Sequence, residues 1–180
     1  YQLINKPIVS IDAYGELDAG QEKHVLNIGL DDESGGYLMT KYLLECGYEH
    51  IQVCAGRDNG VDHLRYMGAQ RAAKDFAKKK QKVQFTALGM NYAKRKESYA
   101  WLIQRKKPKT ALFFLSDLYA LEAISFFSSR GVKIPEEIGI AGYDNISYAE
   151  FSVPRLTTIS QNVEQKASLA VEILMERING

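Results

Sequence analysis

The sequence predicts an α/β chain in which parallel sheets are flanked by helices. Three observations carry that expectation. From residue 35 onward, short apolar runs alternate with segments of helical periodicity. One run, Ala111-Leu112-Phe113-Phe114-Leu115, is apolar at every position, as a strand covered on both faces must be. The connections between these segments are short, and strand-helix repetition with short connections builds a parallel sheet with right-handed crossovers.

The elements follow in order. Pro7-Ile8-Val9-Ser10-Ile11-Asp12 reads as a short buried strand. Met39, Tyr42, Leu43 and Cys46 recur at helical spacing, and Gly47 is placed to end that helix. Ile51–Ala55 is the next strand; Ala69, Ala72, Ala73, Phe76 and Ala77 mark a helical face. Val83–Leu88 is a strand, and Tyr99, Leu102 and Ile103 mark a helix. After Ala111–Leu115, residues Ala120, Ala123, Ile124 and Phe127 mark a helix closed by Gly131. Ile138–Gly142 is a further strand, and the last helix carries Ala167, Ala170, Val171, Leu174 and Ile178. The aromatic stripes on these helices read as core faces.

Composition narrows the function. With 180 residues, 46% of them apolar, the chain is long enough to bury a core and is no disordered tail. No run approaches the ~18 apolar residues of a membrane span, and no secretory signal opens the chain. Cys46 and Cys54 make neither a disulfide scaffold nor a CxxC pair. The net charge of +1 hides an asymmetry: Arg71 to Lys109 holds 13 Lys or Arg against Asp75 and Glu97. Such a stretch suits nucleic acid or simply a solvated face. Lys78-Lys79-Lys80, Lys94-Arg95-Lys96 and Arg105-Lys106-Lys107 fall at or near helix ends, which favours the solvated face.

Ligands of open parallel sheets bind beyond the carboxyl ends of the strands. Four loops meet there: residues 56–65, Gly89-Met90-Asn91-Tyr92, Ser116-Asp117 and Tyr143-Asp144-Asn145. They assemble an arginine, carboxylates, amides, a hydroxyl and an aromatic ring, an inventory for a neutral polyhydroxyl ligand. Arg65 and Asp144 are the leading ligand contacts. Asp58, Asn59 and Asp62 also suit turns and caps, and Asp117 suits the cap of the helix that starts near Leu118. No nucleophile elbow, phosphate loop or dinucleotide turn occurs, and His24, His50 and His63 are scattered, so neither an enzyme nor a metal or cofactor site is expected.

The same loops carry an ordered pattern. Pro7–Asp12, Asp31-Asp32-Glu33-Ser34-Gly35-Gly36, Tyr42–Ile51, Arg65-Tyr66-Met67-Gly68, Ile134-Pro135-Glu136-Glu137-Ile138, Gly142-Tyr143-Asp144-Asn145 and Pro154–Gln161 occur in that order over nearly the whole chain. In this the chain resembles the effector-binding core of the lactose/galactose repressor (LacI/GalR) family of bacterial transcription regulators. The resemblance implies a type I periplasmic-binding-protein-like fold with one lobe nearly complete and the other partial. Residues 31–158 would form the C-terminal lobe, and 1–30 with 159–180 parts of the N-terminal lobe. The family's DNA-binding helix-turn-helix is absent from this chain, which is then a piece of a longer regulator.

Carried over by position, Arg65 and Asp144 match the family's effector-binding arginine and aspartate, and Tyr92 falls near its stacking aromatic. Ser116 stands where the family usually has Asn, which implies a different ligand contact or a bridging water. Asn59 and Asp62 lie in the variable specificity loop. The implied partners are a small sugar or sugar-like effector, operator DNA through the absent domain, and a second copy in a homodimer, in the cytoplasm and without a membrane. A periplasmic sugar-binding protein of a transporter is the alternative on the same fold.

Overall fold

A computed structural model describes residues 6–13, 25–57 and 60–179. The strands are β1 (Ile8–Ile11), β2 (Val25–Ile28), β3 (His50–Ala55), β4 (Lys82–Ala87), β5 (Thr110–Phe114), β6 (Gly139–Asp144) and β7 (Thr157–Ser160). The helices are α1 (Asp32–Glu45), α2 (Gly60–Phe76), α3 (Tyr92–Arg105), α4 (Asp117–Ser128), α5 (Ser147–Phe151) and α6 (Val163–Asn179). Two compact units result, residues 1–31 with 161–180, and residues 32–160.

The larger unit is a five-stranded sheet in the order β4-β3-β5-β6-β7, with every neighbouring pair parallel. Successive side chains of a strand point to opposite faces, and β5 shows the consequence. Ala111 and Phe113, with Leu115 just beyond the strand, join a core with Met39, Leu43 and Leu44 of α1 and Ala69 of α2. Leu112 and Phe114 join the opposite core with Tyr99 of α3 and Phe127 of α4. Tyr99 packs edge-on against Phe114 and Phe127, the geometry favoured by ring quadrupoles. The expected α/β architecture is therefore present, with β5 buried on both sides.

Two contacts set how α1 meets α2. A Cβ at Gly36 would stand 1.9 Å from the Arg65 carbonyl oxygen, and one at Gly68 would stand 1.8 Å from that of Glu33. The two backbones thus touch, which only residues without a side chain allow. Helix α1 ends at Gly47 (φ +87°), where the Tyr48 N–H donates to Leu43 and the Gly47 N–H to Leu44, a Schellman closure.

The structure departs from the sequence reading in several places. Strands β2 and β7 and helix α5 are short and were not expected; four or five residues give too little periodicity to read. On α1 the buried face is Met39, Thr40, Leu43 and Leu44, while Tyr42 and Cys46 point to solvent. On α6 only Lys166 and Ala170 are buried; Val171 and Ile178 are exposed. In that smaller unit β1 and β2 form a parallel two-stranded sheet, and α6 packs on β1. There the buried Lys166 ammonium pairs with Asp12 at 2.5 Å and donates to Gln161 at 3.0 Å.

The basic stretch is not uniformly solvated. Arg95 is buried and donates through Nε and Nη2 to both carboxylate oxygens of Glu122 on α4, at 2.7 and 2.8 Å. That bidentate pair, then the Tyr99 hydroxyl, hold the Glu122 carboxyl below the ordinary glutamate value against the opposing effect of burial. Spacing within a cationic run shows nothing of a partner 27 residues away.

Candidate functional site

The strand order reverses between β3 and β5: the chain moves outward from β3 to β4, then returns to lay β5 on the other side of β3. The crevice beyond the carboxyl ends at such a reversal is where ligands of open parallel sheets bind. Arg65, in the second turn of α2, is fixed at this place. Its Nη1 donates to the carbonyl of Leu115, just past β5, at 2.7 Å. Its Nε donates to Asp32 Oδ1, at the head of α1, at 2.8 Å. The guanidinium carbon lies 3.7 Å from the centroid of the Tyr143 ring on β6. Only 6% of Arg65 is exposed.

Each of these contacts has a local cause. The touching backbones at Gly36 and Gly68 bring the start of α1 against α2, so that Asp32 reaches Arg65. Tyr143 lies over Gly35, where a Cβ would meet its hydroxyl oxygen at 2.2 Å. Burial, and next the Asp32 carboxylate, push the Tyr143 hydroxyl above its ordinary pKa, so the ring stays neutral beneath the cation.

Asp144 closes the arrangement from the end of β6. Its Oδ1 is 3.8 Å from Arg65 Nη1, longer than a hydrogen bond. Its Oδ2 accepts from the Ser116 hydroxyl at 3.1 Å. Asp144 and Asn145 both have positive φ, +119° and +55°. Two successive non-glycine residues in that region mark backbone strain, which concentrates at functional sites.

Asp117 supports this turn from below. It is fully buried. Its Oδ2 accepts from the Ile146 N–H at 2.9 Å, and its Oδ1 accepts from the Thr158 hydroxyl at 2.6 Å. Asp117 thus ties the loop after β6 to β7 and does not cap α4, as its position in the sequence suggested. Burial raises its carboxyl pKa, against the lowering effect of these hydrogen bonds.

Among the residues singled out from the sequence, direct contacts join Arg65, Asp144 and Ser116. Tyr92 heads α3, 49% exposed, with the Lys96 ammonium 5.0 Å from its ring centroid. Asp62 is half-buried in the first turn of α2, and Asn59 lies outside the described residues. Sequence reasoning assigned no role to Asp32 or Tyr143. Both stand in the ordered motifs, and Tyr143 in a strand-end loop, but neither had a ligand role; Gly35-Gly36, a pair of small residues inside a helix, marks close approach of another group. Among the described residues no cluster of three His, Cys, Asp or Glu suits a metal ion. No described helix is long and apolar enough to cross a membrane.

The Arg65 guanidinium and the Asp144 carboxylate face each other across 3.8 Å, longer than a hydrogen bond. A hydroxyl can accept from the first while donating to the second. The arrangement can therefore receive a group that is donor and acceptor at once.

Comparison with known proteins places the fold. A periplasmic binding protein-like domain matches residues 40–180. The HTH-type transcriptional repressor PurR of Haemophilus influenzae is 37% identical over 153 residues, 83% of this chain and 45% of that protein. The chain therefore spans about half the length of the curated relatives it matches. The fold superposes on a periplasmic binding protein/LacI transcriptional regulator from Alkaliphilus metalliredigens complexed with D-xylulofuranose, with a TM-score of 0.80 and 28% identity. That match covers 100% of this chain and 65% of the other. A LacI family transcriptional regulator from Enterococcus faecium with bound ribose gives a TM-score of 0.79 and 25% identity, covering 96% of this chain and 62% of the other. The chain belongs to the periplasmic-binding-protein-like family, as an effector-binding core of the LacI/GalR type.

Proposed function

We propose that this chain is the ligand-sensing core of a cytoplasmic bacterial transcription repressor and that its effector is a small sugar or sugar-like metabolite. The observation that carries the reading is the pair Arg65 and Asp144, a fixed donor and an acceptor 3.8 Å apart at the reversal of strand order. The pentoses bound by two similar regulators support the ligand class. Curated relatives named as repressors favour regulation over transport. Ser116 orients Asp144; Asp62, Asn59 and Tyr92 belong to the loops that would tune specificity.

In this reading residues 31–158, which carry Arg65 and Asp144, are one lobe that binds the effector, and 1–30 with 159–180 are parts of the other. Effector binding favours one lobe arrangement and so alters the spacing of two DNA-binding heads in a homodimer. Such coupling needs an effector that binds the two arrangements with different affinity. Calorimetry with a panel of pentoses and hexoses on the full-length protein tests it. Asp144→Ala is expected to weaken the bound sugar by at least about tenfold, the loss of a hydrogen bond to a charged group. Equal affinity in parent and variant would overturn the assigned site.

A further inference from the structure

The opposite, amino-terminal edge of the five-stranded sheet holds a polar cavity of about 240 Å³. It lies under the C-terminal half of α3, far in topology from the strand ends that carry Arg65 and Asp144. A sheet face under a helix is normally apolar, yet here His50, Gln52 and Gln84 occupy it beside Leu112. Gln52 already accepts from the Thr86 hydroxyl at 2.8 Å through its Oε1, so its amide NH2 is left to donate. Trp101, 44% exposed, forms one wall, with the Arg105 guanidinium 4.9 Å from its ring centroid. Lys107 completes the rim. Lys106 is engaged with Glu137 at 2.6 Å, but Arg105 and Lys107 have no ion pair among the described residues. No carboxylate lines the cavity.

We infer that this cavity is an anion-binding site for a small phosphorylated metabolite, separate from the effector site. The lining offers amide donors, an imidazole and two cations without an ion pair among the described residues, and it holds no carboxylate to repel an anion. The cations at the end of α3 complement the negative end of its dipole, but a dipole worth about half a charge leaves most of theirs available to a ligand. The volume suits a phosphate carried on a few carbons rather than a nucleotide.

Trp101 is the single tryptophan of the sequence, so its fluorescence reports on this cavity. The 180-residue chain is titrated with inorganic phosphate and with glycerol 3-phosphate, against glycerol and chloride at matched ionic strength. A saturable change with either phosphate is expected, and the tighter of the two identifies free phosphate or phosphomonoester as the source. The double variant Arg105→Gln/Lys107→Gln, altered only at exposed positions, is expected to bind about tenfold more weakly or worse. Lys79→Gln/Lys80→Gln, equal in charge change, is expected to bind as the parent does. The inference is overturned if neither phosphate gives a saturable change or if the double variant binds as well as the parent. Asp144→Ala leaves this response intact, so failure here is distinct from failure of the effector assignment.

Discussion

The two edges of the five-stranded sheet handle charge in opposite ways. At the carboxyl edge Arg65, Asp32, Asp144 and Asp117 are buried or half-buried and held by direct polar contacts. At the amino edge Arg105, Lys107 and Lys109 are exposed, and the Lys109–Glu49 contact at 2.7 Å is a surface pair of the kind that contributes little to stability. The difference follows from what each edge must do. A pre-organised donor and acceptor require a rigid polar shell, so the carboxyl edge is stabilising only while every member keeps its partner. The amino edge has no such shell, and substitutions there act on ligands and solvent rather than on the fold.

The sharpest way to break that comparison is to remove the cation from the carboxyl edge. Arg65→Met leaves the buried Asp32 carboxylate without its guanidinium and vacates the Leu115 carbonyl. Breaking one side of a buried pair costs about 3–5 kcal/mol. Urea unfolding should show a loss of that order together with loss of effector binding. A variant as stable as the parent would mean that the shell is not a unit.

Next in size is Asp117→Ala, which strands the Ile146 N–H and the Thr158 hydroxyl. Leaving a buried donor unsatisfied costs about 1–3 kcal/mol, and because both groups are half-buried the expected loss lies toward the lower end. Hydrogen exchange at Ile146, read beside the unfolding midpoint, separates a local opening of the β6–α5 loop from a global loss. Opening confined to the loop would place Asp117 as a support of Asp144 rather than of the whole sheet.

The pH dependence sharpens the same point with two carboxylates of opposite sign. The Glu122 carboxyl is lowered, chiefly by Arg95, so its contribution to stability is fully present above the ordinary value of 4.5. That contribution is lost as pH falls through the folded value. The Asp117 carboxyl is raised, chiefly by burial, so its contribution is fully present below 3.8 and is lost as pH rises through the folded value. Stability curves of Glu122→Gln and Asp117→Asn should therefore lose slopes of opposite direction. Identical changes in both curves would contradict the assignment of burial as the larger influence on Asp117.

What the sequence disclosed follows the same division by edge. Ala111–Leu115 was legible because a fully apolar run has one use in a parallel sheet, and the core on both faces of β5 agrees. Arg65 and Asp144 were legible as candidates because the strand-end rule and the ordered motifs converge on them. Asp32 and Tyr143 were not, since their work is done through contacts across 33 residues and between α2 and β6. Arg95 was concealed for a related reason: a run of cations in sequence gives no hint that one of them turns inward to a carboxylate on another helix. Local spacing reports faces and ends of elements, while the partner of a buried charge is a property of the tertiary fold.

The smallest expected effect is the complement of the first. Lys79 and Lys80 sit past the end of α2, exposed, without an ion pair among the described residues. Replacing both by Gln removes two charges from the basic stretch and no packing. If that stretch touched operator DNA, each lost phosphate contact would lower the slope of log affinity against log salt by about one unit. If it is a solvated face, operator affinity of the full-length protein at fixed salt should stay nearly unchanged, with the same salt slope and the same unfolding midpoint. Measuring the slope, rather than a single affinity, separates a direct phosphate contact from a general weakening of the long-range field, because only the contact releases counterions one for one.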